Sequence, residues 1–411
     1  MVSSLLLSLA MTLGQATLLP PETPAEPPPA AAPTPPDRWL LMKSLQGTFP
    51  GWLLDSQRLQ ISGWTDASFT ASSAAHNQLP LGFNYRANEF LLQQNWLRIE
   101  RPVVTTGTSE PTFGFRADTI LPGSDYRFTT ARGLFDRQLT ANNGQPNLYG
   151  IDPIQFYAEA YFPTVGRGLD VKIGRMFCQY GVEANDAPSN ALLSHAYTFI
   201  YDPFTHTGVM ATLKLTDIWS VQAGLILGSD IFIDPADEPT LMGSIKWAPP
   251  NGRDSVLFSV ILGSGRFNQQ QNFHNPEIFD LVYTHKINTR LTYNAEGLYG
   301  FTTNVSSSPL PLGEGPGVRG FANWVGILNY LTYDFSPRLS GTTRLEFFDD
   351  FQGQRTGFKG LYTALTAGLS FKPSRSITLR PELRYDYNTE SRPFENRHGL
   401  FTAATDVILR W

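Results

Sequence analysis

One cysteine, Cys178, is all that 411 residues provide, so no disulfide can form within the chain and a cross-linked scaffold is excluded. Charge is scarce as well. Asp, Glu, Lys and Arg make up 16% of the residues, against roughly 25% in an ordinary soluble domain. With a net charge of -5 and no basic stripe, the chain lacks the electrostatic footprint of a nucleic-acid partner. It also lacks any run of ~18 apolar residues, so a helical membrane span is ruled out by length. The six histidines (His76, His195, His206, His274, His285 and His398) fall mostly in loops or at segment ends, without the Ser or Asp spacing of a catalytic constellation. Asp349, Asp350 and Gly353 fall short of the full ligand spacing of a calcium loop. No enzymatic activity, cofactor or metal is expected.

What the chain has is alternation. From Leu59 onward, segments of ~9 to 13 residues switch between apolar and polar or small side chains, the length and period of tilted membrane-spanning strands. Val209, Ala211, Leu213 and Leu215 oppose Met210, Thr212 and Lys214; Ile377, Leu379, Leu383 and Tyr385 oppose Arg380, Glu382, Arg384 and Asp386. Sixteen such segments begin near residues 58, 89, 111, 153, 168, 207, 219, 240, 255, 277, 291, 322, 338, 361, 377 and 399. Links between them alternate short and long. The short ones, such as 216–218, 249–254, 288–290, 334–337 and 373–376, carry the Pro, Gly, Asn and Asp that tight turns need. The expected fold is therefore all-β: a transmembrane antiparallel up-and-down β-barrel of about 16 strands, with short periplasmic turns and long external loops. Lipid offers no partner for an open sheet edge, so the sheet must close on itself. Two places resist the pattern. Arg175 falls on the outward face unless a bulge follows Gly174 or the residue sits at the rim, and the register of 322–333 stays open because both faces there are mixed.

Ahead of the barrel the expectation is a signal peptide over 1–16, a Pro-rich periplasmic tether over 17–37 and a short amphipathic segment over 38–57, leaving 58–411 as the barrel. The signal's first residues contain no Lys or Arg, a departure from the usual pattern. At the other end Phe401, Ala403, Thr405, Val407, Leu409 and Trp411 share one face. That stretch resembles the closing strand of a bacterial outer-membrane barrel. The resemblance implies that Phe401, Leu409 and Trp411 act as the signal read by barrel-insertion machinery.

Further stretches carry a family likeness: Leu81 to Arg86, Leu97 to Pro102, Tyr201 to Val209, Arg344 to Asp350 and Arg380 to Asp386. Over roughly 38–411 the sequence resembles the OmpL-like β-barrel porin family, which implies a porin-type function in the outer membrane. The wider likeness to general porins implies a homotrimer. Neither supplies a defined substrate.

By register, the inward charges include Arg98, Glu100, Arg116, Asp118, Glu159, Lys172, Arg344, Glu346, Arg380, Glu382, Arg384 and Asp386, with the two signs nearly balanced. So many ionisable groups demand water inside, and a balanced wall predicts weak selectivity. Passive diffusion of small hydrophilic solutes and ions is the expected function. The alternatives are a substrate-specific channel for sugar or anions and a non-conducting structural or adhesive barrel. Trp64 and Trp96 are the only tryptophans placed inward, thin support for a sugar slide. The long link 181–206 is unusually apolar. It is expected either to fold inward, with Glu183, Asp186 and Asp202 narrowing the lumen, or to pack at the mouth or a subunit contact.

Overall fold

The computed structural model describes residues 38–233, 239–262, 276–306 and 319–411. Among these, sixteen strands form one closed antiparallel barrel in which each pairs with its neighbours in sequence and the first with the last. They are β1 (Gln60–Ser72), β2 (Phe90–Arg101), β3 (Thr112–Gly123), β4 (Gly150–Phe162), β5 (Leu169–Phe177), β6 (Thr205–Lys214), β7 (Trp219–Ile226) and β8 (Thr240–Trp247). The second half comprises β9 (Asp254–Leu262), β10 (Glu277–Lys286), β11 (Leu291–Ser306), β12 (Arg319–Ser336), β13 (Leu339–Asp350), β14 (Gly360–Ser374), β15 (Ile377–Asn388) and β16 (Gly399–Arg410). The predicted signal peptide and tether lie outside the described residues.

The period-2 pattern decides what each face meets. Val209, Leu225, Leu241, Leu281, Leu383 and Val407 are exposed on the outer surface, as a lipid-facing band requires. Phe401 and Leu409 belong to that band. Trp411 extends the β1–β16 ladder by one step, donating its N–H to Gly63 O at 2.9 Å and accepting from Gly63 N at 3.0 Å.

The open register of β12 resolves with Ile327 and Leu331 exposed outward and Trp324, Leu328 and Tyr330 buried inward. Both faces are apolar because the inner one is covered by protein rather than water. Arg175 is fully buried. Gly174, at φ +138°, precedes it, and the guanidinium reaches Asp152 at 2.7 Å and Thr129 O at 2.6 Å at the base of the external loop 124–149. The β5–β6 ladder runs through Arg175 without a shift.

Two short helices precede the barrel, α1 (Leu40–Ser44) and α2 (Phe49–Ser56). Thr48 caps α2 by accepting from Gly51 N at 3.2 Å, and Pro50 occupies its first turn, where no N–H is needed. Trp39 is held between Arg375 and Arg410, whose guanidinium carbons lie 4.7 and 5.1 Å from its ring, so this segment sits at the periplasmic end of β15 and β16. A third helix, α3 (Tyr126–Thr129), begins the external loop after β3, and a fourth, α4 (Tyr197–Ile200), lies in the link between β5 and β6.

Candidate functional site

The link 178–204, hereafter the inner loop, folds into the barrel. Irregular backbone there has no ladder to join, and each buried N–H and C=O needs a partner. The wall provides them. Val182 N donates to Glu296 at 2.8 Å, Leu193 N to Glu382 at 2.8 Å and Tyr197 N to Glu346 at 2.8 Å. In the other direction Arg380 donates to Ala187 O, Asn190 O and Leu192 O at 2.8–2.9 Å, Arg384 to His195 O at 2.6 Å and Arg410 to Pro188 O at 2.8 Å. The loop tip reaches β2, where Gln94 binds Asn185 O at 2.8 Å and receives Ala187 N at 3.1 Å.

This arrangement corrects an expectation about exposure. Arg344, Glu346, Arg380, Glu382, Arg384 and Asp386 point inward as the register demands, but the inner loop lies over them and all six are buried. They form an ionic lattice instead of a wet wall. Arg344 meets Glu346 at 2.9 Å, Arg384 meets Asp386 at 2.7 Å and Glu346 at 3.4 Å, and Arg380 pairs with Asp406. Charges removed from water must be paired and hydrogen-bonded, which explains why cations and anions alternate so closely on β13 and β15.

Of the three acids expected to narrow the lumen, none presents a free carboxylate to it. Glu183 is buried and receives Arg344 at 2.9 Å, His195 Nδ1 at 2.7 Å and Ala196 N at 3.1 Å, along with the Tyr330 hydroxyl. Burial alone would raise its pKa. The Arg344 guanidinium and the bonds from His195 and Tyr330 outweigh that and hold it at about 2. Asp186 accepts from Ser189 Oγ at 2.5 Å near Arg410. Asp202 is buried.

Close packing beneath the loop depends on small residues in the wall. A Cβ at Gly326 would strike Thr198 of α4, and one at Gly368 would strike Leu192. Further out the loop joins an apolar cluster that includes Tyr180 and Tyr197 with Met210, Ile226, Met242 and Trp324. Trp64 and Trp96 stack at 4.6 Å and are buried with Ala187 of the loop, with Phe177 packed against them, so neither is presented to a passing solute.

The other predicted pore residues remain near water in the periplasmic half. Side chains of Arg98, Glu100, Arg116, Glu159, Asp170 and Lys172 keep between 14% and 25% of their surface exposed. They are paired: Arg98–Asp118 at 2.8 Å, Arg116–Asp118 at 3.0 Å, Lys172–Glu159 at 3.4 Å and Lys172–Asp170 at 3.8 Å. Asp118 itself is buried beneath its two arginines. At the loop 351–359, Asp350 accepts the N–H groups of Gln354, Arg355 and Thr356 at 2.8–3.0 Å, a backbone-capping role that accounts for its position. Among the described residues no cluster of His, Cys, Asp or Glu is arranged to hold a metal ion.

Sequence reasoning that counted charges missed Gln94, Tyr330, Gly326 and Gly368. Tyr330 was hidden by the open register. The glycines left no signal beyond their size.

A closed sixteen-stranded barrel, short turns at one end, long loops at the other and one loop inside the lumen together define an outer-membrane porin. Solved structures agree on the fold. An anion-selective porin from Comamonas acidovorans superposes with TM-score 0.58 at 8% identity, over 86% of this chain and 99% of that one. The outer membrane channel DcaP of Acinetobacter baumannii gives 0.54 at 11%, over 86% and 96%. OmpT of Vibrio cholerae in its trimer form gives 0.53 at 9%, over 86% and 99%. No curated protein matches the sequence. The chain belongs to the OmpL-like beta-barrel porin-2 family, whose pattern matches residues 58–410. It is a bacterial outer-membrane barrel that forms a channel for passive diffusion.

Proposed function

We propose that the channel is weakly selective and passes small hydrophilic solutes and ions of either sign. The observation that carries this reading is the composition of the wall left open below the inner loop. There Arg98, Arg116 and Lys172 are matched by Glu100, Asp118, Glu159 and Asp170, so no ring of one sign faces the water. The inner loop is the constriction, narrowing the lumen with its backbone rather than with free carboxylates. Burial of Trp64 and Trp96 weighs against a sugar slide. We read the chain as a channel without catalytic activity. Phe401, Leu409 and Trp411 are the insertion signal in this reading, and the trimer of OmpT supports assembly as a homotrimer.

Reversal potential under a salt gradient, with liposome swelling by sugars of graded size, tests the reading. A reversal potential near zero and a size cut-off without chemical preference are expected. A potential close to the Nernst limit of either ion, or no conductance at all, overturns it.

A further inference from the structure

Between the first stretch of the inner loop and β11 lies a chamber of about 270 Å³. Its wall includes Cys178, Tyr180, Glu183, Asn185, Asp202 and Glu296, and among the described residues no lysine, arginine or histidine lines it. At ~30 Å³ per water it has room for about nine. Glu183 is already paired with the Arg344 guanidinium and bonded to His195 Nδ1. Asp202 and Glu296 are not so matched. Asp280 lies behind the chamber wall, where one carboxylate oxygen takes the Gly181 N–H at 3.3 Å.

Three buried carboxylates thus stand close enough to repel one another, while Arg355 acts on Asp202 in the opposite sense. The hydrogen-bond inventory is also incomplete. Asp202 Oδ1, Asp280 Oδ2 and Asn185 Oδ1 all receive no donor, and these residues are at most 8% exposed. Tyr180 Oη, which also lines the chamber, is unpartnered as well and can donate to only one of these oxygens. Burial, followed by repulsion from Glu296 and Asp280, pushes the Asp202 carboxyl well above its usual range. A bound cation would reverse that cost. No described cluster is arranged to grip a metal ion directly, which favours a cation that meets the unpaired oxygens through its own N–H groups.

We propose that this chamber binds a small aliphatic ammonium ion, its N–H donors satisfying Asp202 and Asn185 while its charge offsets the acidic cluster and its short chain lies against Phe177 and Phe199. Binding beside the constriction gives the channel a preference for amine cations that the balanced wall below cannot supply. This deepens the channel reading and rests on it for the route by which the cation enters.

The test is isothermal titration of n-butylammonium chloride into the full-length protein in detergent, with n-butanol and calcium chloride as parallel probes. Saturable binding of butylammonium is expected, with none for butanol and no competition by calcium. Affinity should fall at least tenfold in Asp202→Asn and in Asn185→Ala, each checked for an intact barrel by circular dichroism, and stay unchanged in Glu110→Gln in an exposed turn. Absence of saturable heat in the wild-type protein means a hydrated void only and overturns the proposal. So does wild-type affinity in both variants, or calcium displacing the amine. Potassium chloride conductance of the same preparation separates the two readings: a conducting channel that ignores butylammonium sinks the chamber alone, and a protein that binds it without conducting sinks the porin reading alone.

Discussion

Arg344 on β13 and Glu183 on the inner loop meet at 2.9 Å with both side chains withdrawn from solvent, so the loop is pinned to the wall by a desolvated ion pair. The same guanidinium bonds Ser194 O and stands over the Tyr330 ring at 5.8 Å. One arginine therefore organises both the entering and returning limbs of the loop.

Removing one partner from such a pair leaves an uncompensated buried charge, at a cost of about 3–5 kcal/mol. Arg344→Met is accordingly expected to free the inner loop while the lipid-facing sheet stays closed. Limited proteolysis should show new cleavage within 184–200, and single-channel recordings should show a larger or noisier conductance. Cleavage and conductance identical to the wild type would mean that the pair does not hold the loop.

The same contact sets a pH response. Glu183 titrates at about 2 in the folded protein against an ordinary value of 4.5, so its depressed pKa contributes stability that is fully present above 4.5. That contribution is lost as the pH falls from 4.5 towards 2. Protonation removes the acceptor charge facing Arg344 and His195, while Tyr330 and Ala196 N keep only a neutral partner. Conductance fluctuations should increase across this window in wild type. In Glu183→Gln they should already be present at neutral pH and respond little to acid. A pH-independent wild type between 4.5 and 2 would contradict the assignment.

Gly326 marks where α4 approaches the wall. A valine there would drive its side chain into Thr198, and relief requires the helix to lift off β12. Overpacking of this kind costs typically 1–3 kcal/mol. Gly326→Val should lower the thermal midpoint and alter conductance, whereas Gly297→Val, with open space around its Cβ, should do neither. Equal effects of the two would show that the loop does not pack as closely as described.

Much of the barrel was legible because its faces meet different solvents. Strand starts read at 219, 240, 277, 291, 377 and 399 are those of the structure, since each follows a short turn or precedes a long clean alternation. β12 failed to yield a register for a physical reason: Trp324, Leu328 and Tyr330 face protein, so its inner side is as apolar as its outer. Arg175 escaped because the groups that receive its guanidinium, Asp152 and Thr129 O, lie 23 and 46 positions away in sequence. The candidate site was only half legible. Alternation told which side chains point inward, and the apolar link 181–206 hinted at burial. Nothing in a list of inward charges distinguishes Lys172, which borders water, from Arg384, which lies beneath a loop. That difference arises from contacts spanning some two hundred positions, such as Arg384 with His195 O.

The pairing of Trp64 with Arg410 closes the ring between the first strand and the last. A growing sheet carries two unsatisfied edges until its final hairpin arrives, and ring closure must then unite segments from opposite ends of the chain, the slowest kind of contact to find. Until that seam is sealed the precursor is at its most adhesive, so any substitution that delays β16 should reveal itself as lost yield rather than altered permeability.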